Sequence, residues 1–217
     1  MKTDIELKAD VAAELAWDPA INAANIGVMV KDGVVTLAGH IDTYVEKHAV
    51  ERAVRRVAGV RAIALDLDVK LSPEHKRDDS DIAQAAVTAL RLNSLIPEGK
   101  VKVEVEDGWI TLTGQVDWSY QFASAEQCLR SLAGVRGISN HVTIKPRVQG
   151  KDIAGQITAA LTRQAQREAK HIGIDVAGAV VTLSGKVHSM TEHDAAIGAA
   201  YSTAGVSRVV DHLQVTA

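Results

Sequence analysis

The chain has a single cysteine, Cys128, in 217 residues. One thiol excludes an intramolecular disulfide and a cysteine-based zinc cluster, and it fits a reducing compartment without requiring one. No apolar run approaches the roughly 20 residues of a membrane-spanning helix. Any membrane contact is therefore expected to be peripheral. The opening Met-Lys-Thr-Asp-Ile-Glu-Leu-Lys-Ala-Asp has none of the apolar character of an export signal. A cytoplasmic location is the expectation for this chain, and a periplasmic one if a leader once preceded it. Positive charge is not in excess: 24 Lys and Arg against 27 Asp and Glu leave a net charge of −3. That offers no global attraction to a polyanion, so no nucleic-acid partner is expected. Glycine-rich phosphate loops, a nucleophile elbow and the His-Glu-x-x-His metal motif are all missing. His188 and His193 come closest to a metal pair, but a spacing of five does not put both on one helix face. No catalytic residue, metal ligand or cofactor is assigned, and an enzyme is not expected.

What the chain has is repetition, which must be sought before any other pattern. Thr36-Leu37-Ala38-Gly39 recurs as Thr111-Leu112-Thr113-Gly114 and as Thr182-Leu183-Ser184-Gly185. Ala58-Gly59-Val60 recurs as Ala133-Gly134-Val135 and Ala204-Gly205-Val206. The two glycines are 20 residues apart in every copy, and the copies are offset by 75 and 71 residues.

Between the glycines, Val50, Ala53, Val54 and Val57 fall on one face of a helix. The same register gives Ala125, Cys128, Leu129 and Leu132, then Ala196, Ala199, Ala200 and Thr203. Cys128 is thus expected to be a core thiol. The second glycine sits where a helix end favours a left-handed residue, with Val after it to pack back. Upstream, Asp32-Gly33 and Asp107-Gly108 are hairpin turns between alternating runs such as Val101, Val103 and Val105. Copy three has Gly178-Ala179 there, so a different turn is expected. A third strand alternates through Ile63, Leu65, Leu67 and Val69, through Ile138, Val142 and Ile144, and through Val209, Leu213 and Val215. Each copy opens with a helix, striped by Ile82, Ala85, Ala86, Ala89 and Leu90 in copy two and by Ile153, Ile157, Ala160 and Leu161 in copy three. Thr3 with Glu6, and Asp81 with Gln84, are candidate capping boxes, and Pro19 should close the first helix.

The expected fold is α+β: three tandem two-layer αββαβ modules, each a small mixed three-stranded sheet with two helices on one face. The modules are placed at residues 1–71, 78–146 and 150–217, with a charged linker through Pro73 and a tighter one from Pro146 to Gly150. At about 70 residues each is marginal alone, so the copies should lean on one another. Val34, Trp109 and Val180 share one outward sheet position and are the candidates for that packing.

The valine-rich strand, Thr-Leu-x-Gly, the amphipathic helix ending Ala-Gly-Val and the final alternating strand together resemble the BON domain, named for bacterial osmotically induced and nodulation proteins. A polar residue after the first apolar position of that last strand is part of the pattern; it is Asn140 and Asp211 here but Leu65 in copy one. The resemblance covers essentially the whole chain. It implies a non-enzymatic module that holds proteins at phospholipid surfaces and protects against osmotic shock. A relative joining one such module to a peptidoglycan-binding module senses potassium.

Two features could meet such a surface. Arg52, Arg55 and Arg56, with Arg61 following, lie near the C-terminal end of the second helix of copy one, either as a patch for anionic headgroups or as a solvated face that the helix dipole favours. Arg163, Arg167 and Lys170 form a weaker patch. Tyr44, Trp118, Tyr120 and Met190 occupy similar loops after the first glycine, where they either touch a membrane or partner or staple the loop to its helix. The expected partner is an anionic phospholipid surface, met peripherally; the alternative is a soluble scaffold for another protein, or a small-ion sensor for K⁺.

Overall fold

In the computed structural model, which describes residues 2–145, 153–164, 172–203 and 205–216, the three copies fold alike. In module 1, helix α1 (Asp4–Trp17) precedes the hairpin β1 (Ile26–Lys31) and β2 (Val34–Ile41), then helix α2 (Tyr44–Arg56) and strand β3 (Ala62–Val69). Module 2 repeats this with α3 (Asp79–Leu92), β4 (Val101–Glu106), β5 (Trp109–Val116), α4 (Ser119–Gln127) and β6 (Gly137–Ile144). Module 3 has α5 (Ile153–Gln164), β7 (Ile172–Ala177), β8 (Val180–Val187), α6 (Met190–Tyr201) and β9 (Arg208–Val215).

In each sheet the middle strand of the sequence is also the central strand. It pairs antiparallel with the first and parallel with the third, the parallel partner being reached through the second helix. One face of each sheet carries the core: Leu7, Val11 and Leu15 of α1 and Val50, Ala53 and Val54 of α2 close over Val35, Leu37 and Ile41. The equivalents Ile82, Leu112 and Leu129 in module 2 and Ile157, Leu183 and Ala200 in module 3 are likewise buried.

The glycine of Thr-Leu-x-Gly has a steric reason. Gly39 and Gly114 have φ of 139° and 135°, and a Cβ at either would stand 2.0 Å from the carbonyl oxygen of Asn25 or Lys100. The glycine of Ala-Gly-Val also has positive φ, 102° at Gly59 and 90° at Gly134, in the turn that follows the helix.

The capping box at Thr3 and Glu6 forms, and α1 stops at Trp17 with Asp18 as its C-cap, ahead of Pro19. The box expected at Asp81 does not form: α3 begins two residues earlier, at Asp79 with Asp78 as N-cap, so Asp81 lies inside the first turn. Asp79 has another role. Its carboxylate accepts the backbone N–H groups of Asp107 and Gly108 at 2.9 and 2.8 Å, and Asp4 holds Asp32 and Gly33 in the same way. Helix α4 is shorter than expected, ending before Cys128, which becomes its C-cap. The linker from Pro146 to Gly150 falls outside the described residues.

Candidate functional site

The second helix of each module starts on a fixed platform. Thr43 and Ser189 accept the N–H of Glu46 and Glu192, the ordinary capping arrangement. The third helical residue then reaches back into the loop before it: the Glu46 carboxylate accepts from Asn22 and Asp42 at 2.7 and 2.9 Å, and the Gln121 carbonyl from Asp117 and Trp118 at 2.9 and 3.1 Å. Glu192 accepts from His188. Locked in this way, the first helical turn projects outward a set of equivalent residues, Tyr44, Ser119 and Met190, and one turn later His48, Ala123 and Asp194.

These positions are where the modules meet, each start of a second helix against the later part of the next module's second helix. Tyr44 of module 1 packs on the core of module 2, with the backbone N–H of Ile138 at its hydroxyl. Burial pushes that phenol above its usual pKa, with the Glu126 carboxylate adding to the rise. Tyr44 and His48 form a T-shaped pair with centroids 4.8 Å apart. Burial, then the Arg130 guanidinium, hold the His48 imidazole below its ordinary value. Ser119 of module 2 donates to the carbonyl of Tyr201 in module 3 at 2.5 Å. Asp194 of module 3 returns to module 1, where one nitrogen of Arg55 reaches both its carboxylate oxygens at 2.9 and 3.0 Å. Module 1 therefore leads to 2, 2 to 3, and 3 back to 1.

The polar residue of the last strand ties that strand to its own module's second helix. Asn140 donates to the Phe122 carbonyl and accepts from Val142; Asp211 meets His193 Nε2 at 2.7 Å and accepts from Leu213. In copy one, where Leu65 stands, Lys47 reaches the Leu67 carbonyl instead.

The candidates named from sequence separate into distinct groups. Arg55 is bound by Glu51 and Asp194, and Arg56 by Glu14 and Asp18. Arg61 lays its chain over Gly33 with its guanidinium near the Asp32 carbonyl. Arg52 is exposed. The loop aromatics part company: Tyr44 is at a joint, Trp118 is half-buried and Tyr120 is 51% exposed. On the outer sheet face, Trp109 lies across Gly137 of its own sheet, donates to Ser139 and remains 47% exposed, while Val34 is 39% exposed. Val180 is half-buried. The contacts between modules described above run through the second helices and not through this face. The side chains of Arg163, Arg167 and Lys170 lie outside the described residues.

Cys128 packs against the module 2 core and donates to the Ala125 carbonyl; burial pushes its thiol up, away from the thiolate a nucleophile needs. His193 lies between Asp194 and Asp211 and extends the module 3 end of the Arg55 link. Among the described residues, no three His, Cys, Asp or Glu converge as metal ligands. A polar cavity of about 700 Å³ beside the linker is lined by both signs of charge, including Lys76, Arg136, Asp78 and Asp107. A second, also about 700 Å³, is mainly apolar and opens between modules 2 and 3; a third of about 270 Å³ separates modules 3 and 1.

Sequence reasoning missed His48, Arg130, Asp194 and Tyr201, because a search for apolar stripes reads outward helix positions as solvent. The signal was present in the alignment of the three helices, where the inner stripe stays apolar while the outer sites run Tyr, Ser, Met and His, Ala, Asp.

Among known proteins, the chain is 27% identical over 146 residues to Osmotically-inducible protein Y of Escherichia coli (strain K12), covering 65% of this chain and 73% of that protein. It is 27% identical over 122 residues to an uncharacterized protein in the gshII 5' region of Anaplasma centrale, covering 53% of this chain and 81% of that one. A solved structure of CdsD, a structural protein of the type III secretion system of Chlamydia trachomatis, aligns over 97% of this chain and 92% of its own, at 15% identity and a TM-score of 0.26, too low to carry any argument. The family model for the BON domain matches three times, at residues 3–70, 78–146 and 149–217, and the chain belongs to that family.

Proposed function

We propose that this is a non-enzymatic binding protein of the osmotic stress response, which presents its three modules as one body to a protein partner. The link to osmotic stress is supported by the similarity to Osmotically-inducible protein Y. The observation that carries the scaffold reading is the use of the basic patch inside the chain: Arg55 and Arg56 are paired with Glu51, Asp194, Glu14 and Asp18. A lipid headgroup would have to displace carboxylates already in place. The same pairs support a non-catalytic role, because the ionisable groups that converge tie elements and modules together.

The second reading, peripheral contact with anionic phospholipid, is favoured by Tyr120, exposed in the first turn of α4, and by Arg52, which is exposed on the same helix as the paired arginines. A basic residue near an anionic surface is worth about 1 kcal/mol, a contribution that salt screens. Flotation of the purified chain with anionic and neutral vesicles, at low and high salt, separates the two. No flotation, with an Arg52→Ala, Arg55→Ala, Arg56→Ala variant behaving the same, is the expected result. Salt-sensitive flotation with anionic vesicles alone, lost in that variant, would overturn the scaffold reading in favour of lipid.

A further inference from the structure

We propose that the joint between modules 1 and 2 is an acid-sensitive latch: a proton taken up by His48 separates the two modules while each stays folded. His48 lies on the outer side of α2, one turn after Tyr44, and the two rings meet in a T-shaped pair at the joint. Tyr44 is the plug, packed on the module 2 core with the backbone N–H of Ile138 at its hydroxyl. Of the three copies, only this one has an imidazole at that position, since the equivalent residues are Ala123 and Asp194.

The surroundings of the ring suit its neutral form. Nδ1 is turned toward Glu51 Oε2 at 3.8 Å, which favours a hydrogen there and leaves Nε2 as a bare acceptor. Among the described residues, Nε2 is buried without a hydrogen-bond partner, and so is Nε of Arg130 across the joint. A second proton turns Nε2 into a donor and creates a cation near that guanidinium, at an atom water does not reach. The titratable and charged groups that act on the ring are Tyr44, Glu51 and Arg52 from its own helix and Glu126 and Arg130 from module 2. Both carboxylates are already engaged: Glu51 Oε1 accepts from Arg55 at 2.9 Å and Glu126 Oε1 from Arg130 at 2.6 Å. At the third joint the arrangement is the opposite, because His193 lies between Asp194 and Asp211 and a proton there meets two carboxylates. Hydrating His48 requires only that module 2 withdraw. The module 1 core is untouched, since Val50, Ala53 and Val54 hold α2 to its sheet from the other face.

NMR reads the joint directly, as nuclear Overhauser contacts between the Tyr44 ring and the Ile138 amide proton, in the full chain at about pH 7.5 and pH 5. Both values lie above the ordinary carboxylate range, so the change of charge falls on imidazoles, and a variant singles out His48. The joint contacts are expected at the higher pH and lost at the lower, while contacts inside the module 1 core persist. His48→Gln, whose amide offers an acceptor and takes no proton, should keep the joint contacts throughout. Joint contacts that survive acid in the unaltered chain, or that His48→Gln loses equally, would overturn the proposal. Loss of the module 1 core contacts in acid would do so too, because the event would then be unfolding. Arg130→Gln carries the test if His48→Gln does not fold: it removes the guanidinium and frees Glu126, so the loss should move to lower pH, and an unmoved loss would overturn the latch.

Discussion

The buried polar atoms of the first joint make it sensitive to a single proton. Among the described residues, His48 Nε2 and Arg130 Nε are buried without a hydrogen-bond partner, and both lie where module 1 meets module 2. Burial and the Arg130 charge depress the imidazole, and the nearby Glu51 and Glu126 carboxylates only partly oppose them. The folded state therefore disfavours protonated His48 relative to the unfolded chain, which takes up the proton at about pH 6.5 and below. The stability this neutral ring contributes is present above about pH 6.5 and is lost as pH falls through the lower folded-state value. Urea unfolding at pH 7.5 and pH 5 should show a lower midpoint at the acid end, and His48→Gln should reduce that difference. A midpoint difference unchanged by the substitution would contradict the assignment to His48.

At the scale of the element, the hairpin depends on a glycine whose replacement would strain the backbone. Gly114 has φ of 135° and its missing Cβ would lie 2.0 Å from the Lys100 carbonyl. Gly114→Ala must therefore shift the backbone between β4 and β5 as well as adopt a strained φ, at a cost on the order of 3 kcal/mol. Thermal or urea unfolding of this variant should show a loss of that size, well beyond that of Gly99→Ala, where positive φ is combined with open space. The element order, the strand pairing and the inner faces of the helices were legible in the sequence because each depends on local periodicity and turn chemistry, as at Val101, Val103, Val105 and Asp107-Gly108. The start of α3 was not, because Asp79 is drawn into capping the next hairpin through contacts 28 and 29 residues away. Nor were the joints. Tyr44 was singled out as a possible membrane tip, and only the position of module 2 shows it as a plug. The arginines were rightly placed on the polar side of α2, but their carboxylate partners come from α1, from α2 itself and from a module 139 residues downstream in the case of Arg55.

For the whole molecule, the Arg55–Asp194 pair is a charged contact, among the described residues, between module 3 and module 1. An exposed pair of this kind is worth only about 0–1 kcal/mol, so its removal should barely alter unfolding. Its reversal is different, because Asp194→Lys sets like charges face to face. The expected outcome is a larger radius of gyration by small-angle X-ray scattering with unchanged circular dichroism, reversed by adding Arg55→Glu. An unaltered radius in the single variant would show that apolar contact alone holds the joint.

The direction of the joints makes the number of copies meaningful. A head-to-tail contact either closes on itself or goes on adding subunits. Here the start of each second helix is taken by the next module, and the last module turns back to the first, so the series ends within a single polypeptide. Three copies are thus a stopping number: with the third removed, the face of module 1 that receives Asp194 and the face of module 2 that offers Ser119 would be left open on every molecule, and the same chemistry that now finishes a ring would string separate chains into a filament.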